Sequence, residues 1–343
     1  MVDSHRRVLL IGSLPYTSAD EAFDAIGPPL ASYAKSLPDG EAQGWINFPA
    51  NALLKSPSFE QSDREYRLQA ELPAFRFLRL KPGVQPAQAE IPPIGYDQIA
   101  LHSYQVFKAA RAAGKIAPGT RFQVSLPTPF GVLGVDLIAE DVPNVLPRFE
   151  EIYMRDVDNI LQSIPAEDLS MQWDVAVEIV GALEGHTPGL LEHAPKEYIA
   201  EAIARISDRI PEPVELGLHY CYGNPGGHHI IQPKDTNVMV DFSNQILDRT
   251  RRQFGWVHMP VPQDRKDEAY FAPLGHLALD DQTTFCLGLV HLGDGLEGSR
   301  KRLEARRSTL LIQGLASPGS VACATSNRRT CLPCSSCTSR SGP

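Results

Sequence analysis

The chain has 343 residues, of which 43% are apolar and 21% charged, with a formal net charge of −9. This is globular composition, with material for two average domains or one large α/β barrel. The acidic balance and the lack of a basic stripe argue against nucleic acid and anionic membrane as partners, and no apolar run reaches the ~20 residues that span a bilayer.

The opening run RVLLIGS (7–13) follows two arginines and imitates a signal peptide, but it is short, contains Gly12 and stops at Pro15. It predicts the first strand of a cytoplasmic protein. Short runs rich in β-branched residues predict further buried strands at 44–48 (GWINF), 121–127 (RFQVSLP), 171–179 (MQWDVAVEI), 214–223 (VELGLHYCYG), 255–262 (GWVHMPVP) and 284–292 (TFCLGLVHL). AFRFLRL (74–80) reads as a strand outside the main sheet. Helical spacing at 97–113, 143–163, 196–209, 235–252 and 297–308 supplies crossovers of the length that parallel pairing demands. The 29 prolines fall mostly in connections, as at Pro28-Pro29 and Pro92-Pro93. About seven βα units, with no GxGxxG after the first strand, predict an α/β fold: a single (β/α)8 TIM barrel over residues 1–313.

Residues 314–343 differ in kind. They lack periodicity, are rich in Ser, Thr, Arg, Pro and Gly, and hold four of the six cysteines: Cys323, Cys331, Cys334 and Cys337. The plain reading is an irregular, disordered tail; a zinc knuckle would need better-spaced pairs. A third reading is a shifted reading frame, because codon degeneracy permits a neighbouring frame that encodes a strand-like start and an amphipathic helix, the content of a last βα unit.

In parallel barrels reactive groups gather at the carboxyl ends of the strands. Those ends carry Ser13, then Pro127-Thr128-Pro129, then Asp174 and Glu178, then His219 and Cys221, then His258, and finally His291 and Asp294. His219 and Cys221 are two apart on one strand, so both face the same side, and imidazole with thiolate is a natural first pair for zinc. A buried core histidine beside a buried thiol is the other reading of the same pair. Asp174 and His291 are candidates for catalytic work, although turn chemistry also explains Asp294-Gly295. Asp264 and Arg265, on a charged loop, are candidates for clamping an anionic substrate. His228 and His229 read as solvated loop residues or substrate contacts, and Asp39 and Glu41, beside a turn, stay ambiguous.

IGSLPYT (11–17) resembles the IGSFPQT that opens the catalytic domain of the cobalamin-independent methionine synthases. MQWDVAVE (171–178) is similar to that family's IQxDEPAL strand, and HYC (219–221) to its zinc-binding HxC. The chain therefore resembles the methionine synthase/uroporphyrinogen decarboxylase superfamily of barrels over residues 7–313, without the synthase's N-terminal half. The resemblance implies zinc on His219 and Cys221. It also implies that Ser13 helps hold an amino-acid thiol substrate and that Asp174 faces its amino group. Two departures matter. The family's Asp-Glu pair becomes Asp174-Val175, removing one amine-binding carboxylate, and the next zinc ligand, a Glu, is replaced by His258. Asp241 is the alternative ligand but falls in a helical pattern. The family's last ligand, a Cys on the eighth strand, has a poor stand-in in Cys323, and Cys286 sits mid-strand like a core residue.

These features lead to a zinc-dependent methyl- or alkyltransferase to a small-molecule thiol, with Ser13, Asp174, Glu178 and Arg265 on substrate; the resemblance implies a methionine synthase-like reaction in methionine biosynthesis. The resemblance implies a reduced folate as methyl donor. Zinc lowers the pKa of a bound thiol and so makes it a nucleophile near neutral pH. A metal-free decarboxylase or lyase acting on a carboxylated molecule is the rival, and a catalytically impaired, truncated homologue is the third.

Overall fold

The structure, a computed structural model, describes residues 8–30, 32–41, 48–67, 74–223, 229–312 and 322–325, with backbone alone for residues 75, 308–312 and 322–325. The elements open with β1 (Val8–Leu10), α1 (Ala19–Leu30), β2 (Ser36–Pro38), α2 (Phe48–Lys55), β3 (Phe59–Tyr66), β4 (Phe75–Leu80) and α3 (Tyr96–Ala112). Next come β5 (Arg121–Pro127), α4 (Pro129–Asp136), α5 (Val142–Ser163), β6 (Leu169–Val175), α6 (Leu190–His193), α7 (Lys196–Ser207) and β7 (Glu215–Tyr220). The last are α8 (Asn237–Arg249), β8 (Trp256–Pro260), α9 (Glu268–Phe271), β9 (Thr284–Gly288), α10 (Gly295–Ile312) and β10 (Ala322–Thr325).

The chain is a mixed α/β protein around a curled parallel sheet whose six central strands run β9-β8-β7-β6-β5-β2. β10 continues the order beyond β9, and β1 pairs with β10. The other end of the sheet approaches β1 as well: Val8 bridges to Ala34 in parallel sense, and its N–H donates to Tyr33 O at 3.0 Å. β3 and β4 form a separate antiparallel hairpin, attached through a bridge between Leu78 and Leu137, so AFRFLRL does lie outside the main sheet.

Period decides each layer. Helix α5 buries Val145, Leu146, Phe149, Ile152, Tyr153, Val157 and Ile160 at spacings of three and four, while Arg148, Glu151 and Arg155 form ion pairs on its exposed side. It stops at Ile164, where Pro165 disfavours a further helical residue. Strand residues of one parity, among them Trp173, Leu216, Leu218, Tyr220, Val257 and Leu287, join the helices in one large core. The opposite, concave face holds its own small apolar cluster of Leu9, Ile11, Trp256 and Cys286.

Several expectations need correction. The strand expected at 44–48 lies outside the described residues except for Phe48, which opens a helix; the strand pairing with β5 is the three-residue Ser36–Pro38. β3, charged and mostly exposed, carries no apolar run that would announce it. Pro28 and Pro29 fall not in a connection but in the last turn of α1, which ends where they remove two amide donors. Inside the 314–343 segment Ala322–Thr325 pair in parallel with β9 and β1, and Cys323 stands opposite Val8 and Leu287. Cys331, Cys334, Cys337 and His228 lie outside the described residues, as does the rest of 313–343. Among the described residues no helix is long and apolar enough to cross a membrane.

Candidate functional site

Strand register builds the site. Pro127, Asp174, His219, His258 and Cys286 are successive partners across β5, β6, β7, β8 and β9, so five strands contribute one transverse row near their carboxyl ends. One step below runs a second row of Ser125, Gln172, Gly217, Trp256 and Thr284. Alternation puts both rows on the concave face.

The centre of the upper row is a pair of imidazoles. His219 Nδ1 and His258 Nδ1 stand 2.7 Å apart, with ring centroids separated by 4.8 Å, and His219 is 5% and His258 0% exposed. Burial pushes His219 down to about 3 and His258 well below its ordinary range, the latter helped by His219 itself. Both rings are therefore neutral at physiological pH, and one Nδ1–H donates to the other Nδ1. Among the described residues His258 Nε2, which is buried, has no hydrogen-bond partner.

Cys221 follows β7 on the same face, half-buried, with its N–H donating to Val175 O at 3.2 Å. Burial, and then the carboxylates of Asp174 and Glu41, push its thiol up to about 12. Asp174 and Glu41 both act electrostatically on the sulfur, and each raises its pKa further. Burial raises Asp174 to about 8, opposed by the hydrogen bond from Gln172 and aided by Glu178.

A chain of side-chain hydrogen bonds supports Asp174 from below. Ser36 Oγ donates to Gln123 Oε1 at 2.6 Å, Gln123 Nε2 donates to Gln172 Oε1 at 3.0 Å, and Gln172 Nε2 donates to Asp174 Oδ1. The same carboxamides reach across to β1 and the residue after it, donating to Leu10 O at 2.7 Å and Ile11 O at 3.0 Å. Each amide therefore orients the next, and the network ends on the carboxylate that faces the site.

Glu41 is the residue that sequence reasoning left undecided and the structure brings in. Its carboxylate accepts from Ser13 Oγ and packs against Gly12, where a Cβ would lie 2.0 Å from Glu41 Oε1 and 3.1 Å from Ser125 Oγ. Glu41 follows the end of β2 and Ser13 that of β1, so two further strands serve the site. The available signal was Gly40-Glu41 after the short apolar run SLP, overshadowed by the stronger run GWINF.

The remaining candidates separate. Glu178 is fully buried beside the row at the start of a π-helical turn (Glu178–Leu183), accepts from Thr128 Oγ1, and is raised by burial to about 7. Thr128 in turn caps α4, accepting from Gly131 N at 2.9 Å, and among the described residues Glu178 Oε2 has no hydrogen-bond partner. His291, past β9, engages Val261 O at 2.7 Å; burial lowers its pKa. Arg265 stays on its loop, where Lys234 O, Asp267 and the Tyr270 ring hold it, while Asp264 is exposed. Asp294 is committed to a bidentate pair with the fully buried Arg302 and to Lys266, which hold its carboxyl far below the usual range. Asp241 is an exposed residue of α8 paired with Lys196, and Cys286 belongs to the concave apolar cluster.

The donor types suit zinc: two neutral imidazoles, one with an orphaned buried nitrogen, and a thiol two residues from the first. The spacing needs adjustment. Two nitrogens on one tetrahedral zinc stand about 3.3 Å apart, given bonds of about 2.0–2.1 Å, so the Nδ1 atoms would have to part by roughly 0.6 Å. Among the described residues no three His, Cys, Asp or Glu side chains already converge as a ready-made cage.

Comparison with family models, with curated proteins and with solved structures gives no match to this chain.

Proposed function

We propose that the curled sheet is a (β/α)8 barrel, with β1 and β10 completing it, and that its carboxyl-end row forms the active site of a zinc-dependent alkyl- or methyltransferase acting on a small thiol. The observation that carries this reading is the register that sets Asp174, His219 and His258 side by side with Cys221 one step beyond. The sequence resemblance to cobalamin-independent methionine synthases points the same way.

His219, Cys221 and His258 would hold the metal. Zinc, when bound, supplies the positive charge that keeps a coordinated thiol deprotonated near neutral pH. The chain's own groups do the rest. Asp174, beside His219 in the row, and Glu41, whose charge acts on Cys221, would offer two acceptors to an ammonium group on the thiol, so the carboxylate missing at Val175 would be supplied from the end of β2 instead. Ser13, through its bond to Glu41, fixes that acceptor, and the carboxamide chain fixes Asp174. The substrate sulfur then attacks an alkyl carbon of the donor; an S–C bond forms and the donor–carbon bond breaks, its electron pair remaining with the donor. His291, past the end of β9 and held by Val261 O, is assigned the proton transfer to the leaving group.

The test is the metal content of the purified chain against a His219→Ala/Cys221→Ala variant. The reading expects about one zinc per wild-type chain and close to none in the variant; near-zero zinc in both removes it. The 2.7 Å contact between the imidazoles favours one alternative, a metal-free lyase in which the pair is a hydrogen-bonded unit, and that second result would support it.

A further inference from the structure

We infer that Asp39 is a positioning residue for Glu41, and that the backbone at Glu41 is held in an unfavourable conformation in order to deliver its carboxylate to the site. The inference rests on the role proposed above for Glu41. Glu41 has φ +53°, the left-handed region, and is the one non-glycine residue with positive φ among those described. Its Cβ is crowded there by the following carbonyl, so a glycine or asparagine is the residue such a position ordinarily selects. Strain of this kind survives where the surroundings over-determine it.

The surroundings here do so from three sides. Asp39 Oδ1 accepts the Glu41 N–H at 3.0 Å, and its other oxygen accepts from the buried Ser103 Oγ of α3 at 2.7 Å, so one carboxylate ties the turn to a helix. Gly40 O accepts from Leu14 N at 3.0 Å, joining this turn to the segment after β1. That segment in turn is shaped around the Glu41 carboxylate: Gly12, at φ +113°, leaves the space a side chain would fill, and Ser13 donates into it. Two stretches nearly thirty residues apart are thus built around one acid group, at the cost of a strained peptide. Folding alone would be served better by glycine at 41.

The prediction is that stability and binding separate at this position. Melting temperature and calorimetric binding of cysteamine, an amine-bearing thiol, are measured on the zinc-loaded full chain. Glu41→Gly should melt roughly 1–2 °C above Glu41→Ala, because only glycine relieves the strain. Asp39→Ala should weaken cysteamine binding about tenfold or more, whereas Asp39→Asn, which keeps an acceptor oxygen, should stay within about threefold of wild type. Wild-type affinity in Asp39→Ala, or no melting difference between Gly and Ala at 41, overturns the inference. Failure of the wild-type chain to bind cysteamine counts against the thiol-amine reading itself. The positioning role is then decided by the melting series in the Asp39→Ala background: loss of the Gly/Ala difference supports it, and an unchanged difference refutes it.

Discussion

The concave face of the sheet has two unlike halves. On β2, β5 and β6 it is polar, and Ser36, Gln123 and Gln172 pass hydrogen bonds from one to the next until they reach Asp174. On β7, β8, β9 and β1 it is apolar, and the Trp256 indole lies over Gly217 beside Leu9, Ile11 and Cys286. The two halves meet at the His219–His258 pair. The polar half fixes an acid through directional bonds, while the apolar half excludes water beneath two imidazoles and so keeps them neutral.

The largest expected effect lies in the apolar half. A Cβ at Gly217 would fall 2.0 Å from a Trp256 ring carbon, so Gly217→Ala must displace the indole. A loss of about 3 kcal/mol or more in urea unfolding is expected; a near-neutral variant would show that the stacking of Trp256 on the β7 backbone is not what closes this floor.

Glu178 tests the polar side through pH. Its pKa is raised by burial to about 7, and the group is fully buried. A carboxyl whose folded pKa exceeds its unfolded value binds more protons when folded. Its stabilising contribution is therefore complete below about pH 4 and is lost as pH rises through about 7, amounting to about 3 kcal/mol. Glu178→Gln should flatten that dependence and be the more stable form at pH 8. Equal slopes for both proteins between pH 5 and pH 8 would mean that this carboxyl ionises without penalty.

The smallest effect concerns the carboxamide chain. Gln172→Leu removes the donor to Asp174 and to Ile11 O together with the acceptor for Gln123, and about 2 kcal/mol of stability should go with them. If the cost is no larger than that of an exposed substitution, water replaces the carboxamide and the polar half is not a fixed network.

Much of this was legible. Strands β5, β6, β7, β8 and β9 and the long helices were readable because apolar period survives in the sequence even where polar residues interrupt it. His219, Cys221, His258 and Asp174 were readable because strand ends in parallel sheets carry chemistry. Glu41 was not readable, since its place depends on Gly12 leaving room some thirty residues earlier. β2 was missed because three residues between turns carry little periodic signal, and β3 because its exposed, charged residues resemble a loop. Gln123 and Gln172 belong to no motif, although a glutamine at a buried strand position is itself a sign of a network.

The sequence by itself determined which segments pair and which face of each is apolar, because alternation and helical period are local properties of the chain. It also determined which residues with metal-binding and acid–base chemistry stand at strand ends. Only the tertiary structure decided register, which sets His219 against His258 at 2.7 Å, and the reach of Glu41 from the end of β2 to Gly12 and Ser13 after β1. Register and reach are fixed by packing between strands distant in the chain, and no local pattern encodes a distance across a sheet.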